Sequence, residues 1–132
     1  MSFRLLVHKL EPYLLYGVRN AIVESMQRAW ADCISNGAPP QEPDFVASLV
    51  LNATKTLSQS WNPIFGTHGI KVGITGVYCH QTPIVKFDSG TCELGDLLWC
   101  HIHTDKINQR SIGNAILYQA KTTPDQPYRA DA

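Results

Sequence analysis

Three side chains toward the end of the chain are of the types that phosphoryl chemistry uses: Asp96, Gln119 and Lys121. A carboxylate and an amide oxygen are hard donors suited to Mg²⁺, and an ammonium group can offset charge developing on an attacked phosphate. For that chemistry the three must meet, and the stretches around them bring them together. Glu93 to Trp99 and Ala115 to Lys121 are short apolar runs, rich in β-compatible residues and bounded by turn formers, so each reads as a strand. Between them Thr104 to Gly113 is polar, with Asp105, Asn108, Ser111 and Gly113, the composition of a hairpin loop. A turn centred near Asn108 sets Asp96 opposite the segment Gln119 to Lys121 in an antiparallel pair. Alternation then points Gln119 and Lys121 one way and Ala120 the other. An acid, an amide oxygen and an ammonium group converge at one sheet edge. A slip of two residues preserves this; a slip of one does not.

The trio Asp96, Gln119 and Lys121 resembles the active-site signature of the PD-(D/E)xK nuclease superfamily in its QxK variant. The resemblance covers roughly residues 42 to 121, counting a preceding helix and first strand. It implies Mg²⁺-dependent cleavage of nucleic acid, with Mn²⁺ as a substitute. Asp96, Gln119 and the backbone carbonyl of Ala120 would be the metal ligands, and Lys121 would orient the attacking water. Gln in place of the usual Glu removes one negative charge, so weaker metal affinity is expected. Superfamily members often carry an acid on the helix before the first strand, which makes Glu42 (with Asp44 beside it) a candidate for an additional acid. Glu93 is a second candidate, although by parity it faces away from Asp96 unless Gly95 forms a bulge.

By the same resemblance the partner is nucleic acid, DNA foremost, and the setting a bacterial defence or restriction system. The family fold continues past its Lys-bearing strand with another helix and strand. Here Thr122-Thr123-Pro124-Asp125-Gln126-Pro127 looks irregular. The expectation is therefore a core truncated after the third core strand: a piece of a longer protein, or else a sheet that a second copy or partner chain completes.

Blander readings stand beside this one. Asp96 after Gly95 can simply terminate a turn, and Lys121 can be a solvated charge guarding a strand end. The chain is then a noncatalytic interaction domain with a degenerate nuclease-like site. A different constellation, Cys79, His80, Cys92, Cys100, His101 and His103, has zinc-ligand types but no Cys-x-x-Cys pair. Cys100 and His101 fall on opposite faces of a strand, and Cys100 beside Leu98 and Ile102 reads as a small buried hydrophobe. No zinc site is expected.

The elements that must position the trio follow from periodicity. Phe3, Leu5 and Val7 alternate like a strand while Leu5, Leu6, Lys9 and Leu10 are also compatible with a helix, and Pro12 marks a boundary or the first turn of the next element. From Leu14 to Cys33 apolar residues recur at helical steps, with Asn36-Gly37 as the stop. A second helix starts at Pro43 or Asp44 and carries the stripe Phe45, Leu49, Ala53, Leu57 and Trp61 until Asn62-Pro63 and Gly66. Ile70 to Cys79 reads as a strand with a bulge at Gly76, and Pro83 to Phe87 as another short strand. The fold class is α+β: two helices packed on a mixed, mainly antiparallel sheet with a restriction-endonuclease-like core. A helical segment over 1–41 precedes a nuclease-like core over 42–132.

The totals limit the alternatives. At 132 residues with 44% hydrophobic content the chain is one domain's worth. Eleven basic residues balance eleven acidic ones, which counts against strong DNA binding by net charge, though not against a local patch. No run approaches the ~20 apolar residues that span a bilayer, so no membrane partner is expected. The opening Met1-Ser2-Phe3-Arg4-Leu5-Leu6-Val7 is interrupted by His8 and Lys9 and lacks a small-residue cleavage site. With four cysteines in no paired spacing, free thiols and a cytoplasmic location are expected.

Overall fold

One long helix, α1 (Phe3–Ser35), is the platform for the first half of the chain. In this computed structural model residues 1–79, 84–93 and 95–120 are described. Gly17, Ala21, Ser25 and Ala29 recur every fourth residue of α1, and all are buried. A column of small side chains lets a second helix lie close against the first. A Cβ at Gly17 would stand 2.6 Å from Ser60 Oγ and 3.2 Å from the Trp61 indole nitrogen, so a side chain there would force Ser60 to shift. The two buried hydroxyls are both satisfied. Ser25 Oγ donates to the Ile22 carbonyl at 2.8 Å, and Ser48 Oγ crosses between helices to the Ser25 carbonyl at 2.6 Å.

The boundary expected at Pro12 is absent, and α1 runs through it. Proline there forfeits one backbone hydrogen bond. Leu6 and Leu14 on either side are both buried, and Phe3 stacks on Phe65 with ring centroids 6.3 Å apart. That packing holds the first turns helical.

The second helical stretch is α2 (Glu42–Ser48), a π-helical turn (Leu49–Ala53) and α3 (Thr54–Gly66) in unbroken succession. Its start is capped by Asp44, whose Oδ2 accepts from the Gln41 N–H at 2.8 Å. Val46, Val50, Ala53, Leu57 and Phe65 are its buried apolar side chains. Phe45, Leu49 and Trp61 of the expected stripe are only half-buried. Trp61 satisfies its indole N–H on the Leu14 carbonyl at 3.2 Å.

After α3 the chain returns along the helices. Ile70, Val72, Ile74, Gly76 and Tyr78 are half-buried and the residues between them exposed. The backbone is thus patterned like a strand, but no ladder is formed here. Asn62 takes the place of a neighbouring strand: its Nδ2 donates to the Val72 carbonyl at 2.7 Å and its Oδ1 accepts the Val72 N–H at 3.1 Å. The bulge expected at Gly76 is not there, because the alternation continues through it. Gly76 packs on the π turn, where a Cβ would overlap the Val50 carbonyl. The missing side chain marks a close approach rather than a slip.

The strands form two antiparallel hairpins. In the first, β1 (Ile84–Phe87) pairs with β2 (Gly90–Glu93) around Asp88-Ser89, from Phe87↔Gly90 to Ile84↔Glu93. In the second, β3 (Leu97–Asp105) pairs with β4 (Arg110–Tyr118), from Asp105↔Arg110 to Leu97↔Tyr118. Among the described residues these are separate two-stranded sheets, not the single sheet expected. One cause lies at Gly95. The stretch expected as one strand from Glu93 to Trp99 is broken, with Glu93 ending β2 and Gly95, at φ +151°, redirecting the chain into β3.

The chain divides into two compact units, Met1–Tyr78 and Cys79–Ala132. The helical segment expected over 1–41 does not stand apart, since α1 shares its core with α2 and α3. The fold class is α+β, with a helical unit and a unit of two small antiparallel sheets. Among the described residues no helix is long and apolar enough to cross a membrane.

Candidate functional site

The open end of the β3–β4 hairpin holds what can be described of the expected trio. Its position follows from the register. The last ladder pair is Leu97↔Tyr118, so one step further out Asp96 comes beside Gln119. The turn that sets this register is Lys106 to Gln109, tighter than the loop expected from Thr104 to Gly113. Polar residues at 104 and 111 do not prevent pairing, and their hydroxyls lie 3.2 Å apart across the strands.

Two hydrogen bonds fix Asp96. Its N–H donates to the Tyr118 carbonyl at 3.1 Å, and its Oδ2 accepts the Ala120 N–H at 2.7 Å. The residue is half-buried, as is Ala120, while Gln119 is exposed. Gly95 makes the arrangement possible. Its positive φ is strained for any side chain, and a Cβ there would meet Leu117 Cγ and Cδ1 at 2.9 Å. Gly95 was legible as a turn former or a bulge; its role in carrying Asp96 onto the end of β4 emerges from this packing.

The other predicted residues fall differently. Lys121 lies outside the described residues. Glu93 closes β2 opposite Ile84, and its side chain also lies outside them. Since Glu93 and Asp96 belong to different hairpins, bulging one strand at Gly95 does not describe their relation. Glu42 opens α2 in the helical unit and is half-buried.

Asp96 and Gln119 carry oxygen donors of the kind that hard divalent cations take. A carboxylate has about four lone-pair positions. Among the described residues the Asp96 carboxylate accepts the Ala120 N–H through Oδ2, and Gln119 is the next residue along the register. Among the described residues no cluster of three His, Cys, Asp or Glu could hold a metal. Cys79, Cys92 and Cys100 are exposed free thiols, and His80 lies outside the described residues. Cys100 is thus not the buried hydrophobe expected, because a lone hairpin covers little of its own face.

At the hairpin's other end Asp105 organises the turn. Its Oδ1 accepts the N–H groups of Ile107 at 3.0 Å and Asn108 at 3.2 Å, and its Oδ2 accepts Asn108 Nδ2 at 2.7 Å. The Asn108 side chain foremost, then its backbone N–H, holds the Asp105 carboxyl below the usual range. In the helical unit partial burial pushes the Cys33 thiol up, and Asp44 and Asp32 add to the shift. Both influences disfavour the thiolate. Comparison with protein-family models, curated proteins and solved structures finds no match to this chain.

Proposed function

We propose that this chain is a nuclease module of the PD-(D/E)xK type, with a restriction-endonuclease-like core, cleaving phosphodiester bonds of nucleic acid, DNA foremost. The observation that supports the reading is the seating of Asp96: its carboxylate is fixed by the Ala120 N–H beside Gln119, across the hairpin end. Asp96, Gln119 and the Ala120 carbonyl would hold Mg²⁺. Bound there, the ion would acidify a water and polarise a phosphoryl oxygen. The protein's own contribution is orientation. The Ala120 hydrogen bond keeps the Asp96 carboxylate from rotating away, and Gly95 fixes the backbone that carries it. Lys121, two residues beyond Gln119 in sequence, would supply the positive charge that balances the attacked phosphate. Such a module would work in the cytoplasm, as the effector of a bacterial defence system.

A second reading has its own observation. All of β4 is exposed, with Ile112 70% and Ile116 52% accessible, as befits a noncatalytic domain awaiting a partner. Cleavage of plasmid and single-stranded DNA with Mg²⁺ or Mn²⁺ separates the two. Asp96→Ala and Lys121→Ala should each lower metal-dependent cutting roughly a hundredfold or more, with secondary structure intact by circular dichroism. Cutting at the wild-type rate by both variants would remove the site. No metal-dependent cutting by the wild type would favour the interaction domain.

A further inference from the structure

Helix α1 exposes apolar side chains besides its buried column, Leu5, Leu15 and Ile22 among them. Flanking the buried column, a second set of side chains, Tyr13, Tyr16, Val23, Trp30 and Ile34, is exposed, from 47% at Val23 to 68% at Tyr16. Asn20 and Gln27, also exposed, fill the gaps in their spacing. Together these positions step along the helix by three and four residues in strict alternation, from 13 to 34. That is the a and d pattern of a coiled-coil seam over about three heptads, with Tyr13, Asn20, Gln27 and Ile34 at a and Tyr16, Val23 and Trp30 at d. The Trp30 ring tilts against Phe45 of α2, centroids 6.5 Å apart, so this part of the seam is held in place.

We infer that α1 pairs with α1 of a second copy of this chain, parallel and in register, along this seam. The flanking charges select that partner and direction. Arg19 stands at g and Glu24 at the following e, and both are exposed. In a parallel pair each g residue faces the e residue five positions on in the other helix, so Arg19 meets Glu24 of the second copy twice by symmetry. The next such pair, Met26 with Ala31, carries no charge, and no like charges oppose each other. An antiparallel pair sets g against g and e against e, and Arg19 and Glu24 then lie on different flanks. Asn20 and Gln27, both at a, favour the aligned pair, in which each amide meets its own counterpart. The inference is independent of the nuclease reading.

The test is sedimentation equilibrium on the full chain, with Arg19→Glu, Glu24→Arg and the double variant. Each single change sets like charges against each other at both symmetric contacts and should weaken dimerisation about tenfold. The double variant should return to within about threefold of wild type, which a general loss of folding would not do. Asn20→Cys should form a disulfide between residues 20 of the two copies on oxidation, read by peptide mapping, because a positions face each other only in the parallel pair. Three results would overturn the proposal: a wild-type monomer at about 100 μM, single and double charge variants that dimerise alike, or no linkage between the two introduced cysteines.

Discussion

The helical unit and the hairpin unit solve the problem of stability in different ways. In the first, two helical stretches lock through a column of small residues, and Leu6, Leu14, Val46, Val50, Leu57 and Phe65 are buried to 7% exposure or less. In the second, β4 buries none of its residues, and Ile102, Ile112 and Ile116 each stay more than half exposed. The helices owe their order to packing. The β3–β4 hairpin owes its order to the ladder, to Asp105 at the turn and to Asp96 at the open end. An isolated two-stranded hairpin is marginal in water. The unit that carries the candidate chemistry is therefore also the one held by a few polar contacts, and these are where it can be broken.

The widest separation should come from making the same truncation in both units. Leu57 is 5% exposed, and Leu57→Ala should lose about 3 kcal/mol through lost transfer energy and a residual cavity. Ile112 is 70% exposed, and Ile112→Ala should cost below about 1 kcal/mol. Urea titration followed by helix signal reads the first, and cross-strand proton contacts in NMR read the second. A loss at Ile112 as large as that at Leu57 would mean that β4 is covered in solution.

A smaller but more local effect is expected from Gly95→Ala. The positive φ and the crowding against Leu117 should cost about 1–3 kcal/mol, concentrated at the open end of the hairpin. Amide hydrogen exchange should speed up at Ala120 and Asp96, whose N–H groups bond there, while amides of α1 keep their protection. Equal loss of protection in α1 would show that the two units unfold together.

The two helical stretches, the antiparallel hairpin and its register near Asn108 were legible because each rests on a local period: apolar residues at helical steps in α1, or alternating runs that flank a polar turn. The buried faces were legible only in part, since Ile22 and Trp30 of the expected α1 face are exposed. What escaped the sequence depends on contacts between segments distant in the chain. Pro12 reads as a break, yet Leu6, Leu14 and the Phe3–Phe65 stack override it. Gly76 reads as a bulge until the Val50 carbonyl is seen to occupy the space of its missing side chain. Gly95 reads as a turn former, and only the close approach of Leu117 shows why strand and carboxylate both change direction there. At the candidate site the side-by-side placement of positions 96 and 119 could be worked out from the turn. The bond from Ala120 to Asp96 could not, because a backbone donor leaves no mark in residue type.

The smallest effect tests whether polar contacts, rather than burial, set the hairpin. Three hydrogen bonds to the Asp105 carboxylate favour its charged form, the largest influence being the Asn108 side chain. Its pKa in the folded chain therefore lies below the unfolded value. By linkage, the contribution of this turn is fully present above the ordinary aspartate range and is lost as pH falls through the folded pKa. Side-chain carboxyl ¹³C shifts followed from pH 7 downward should place the Asp105 midpoint below the ordinary value of about 3.9. In Asn108→Ala the midpoint should rise toward that value, and the hairpin should loosen at a higher pH than in the wild type. The turn is exposed, so salt and water screen these bonds and the change in overall stability should be small. An unmoved midpoint in Asn108→Ala would leave the backbone N–H groups as its source, and the turn would then be set by chain geometry rather than by the Asn108 side chain.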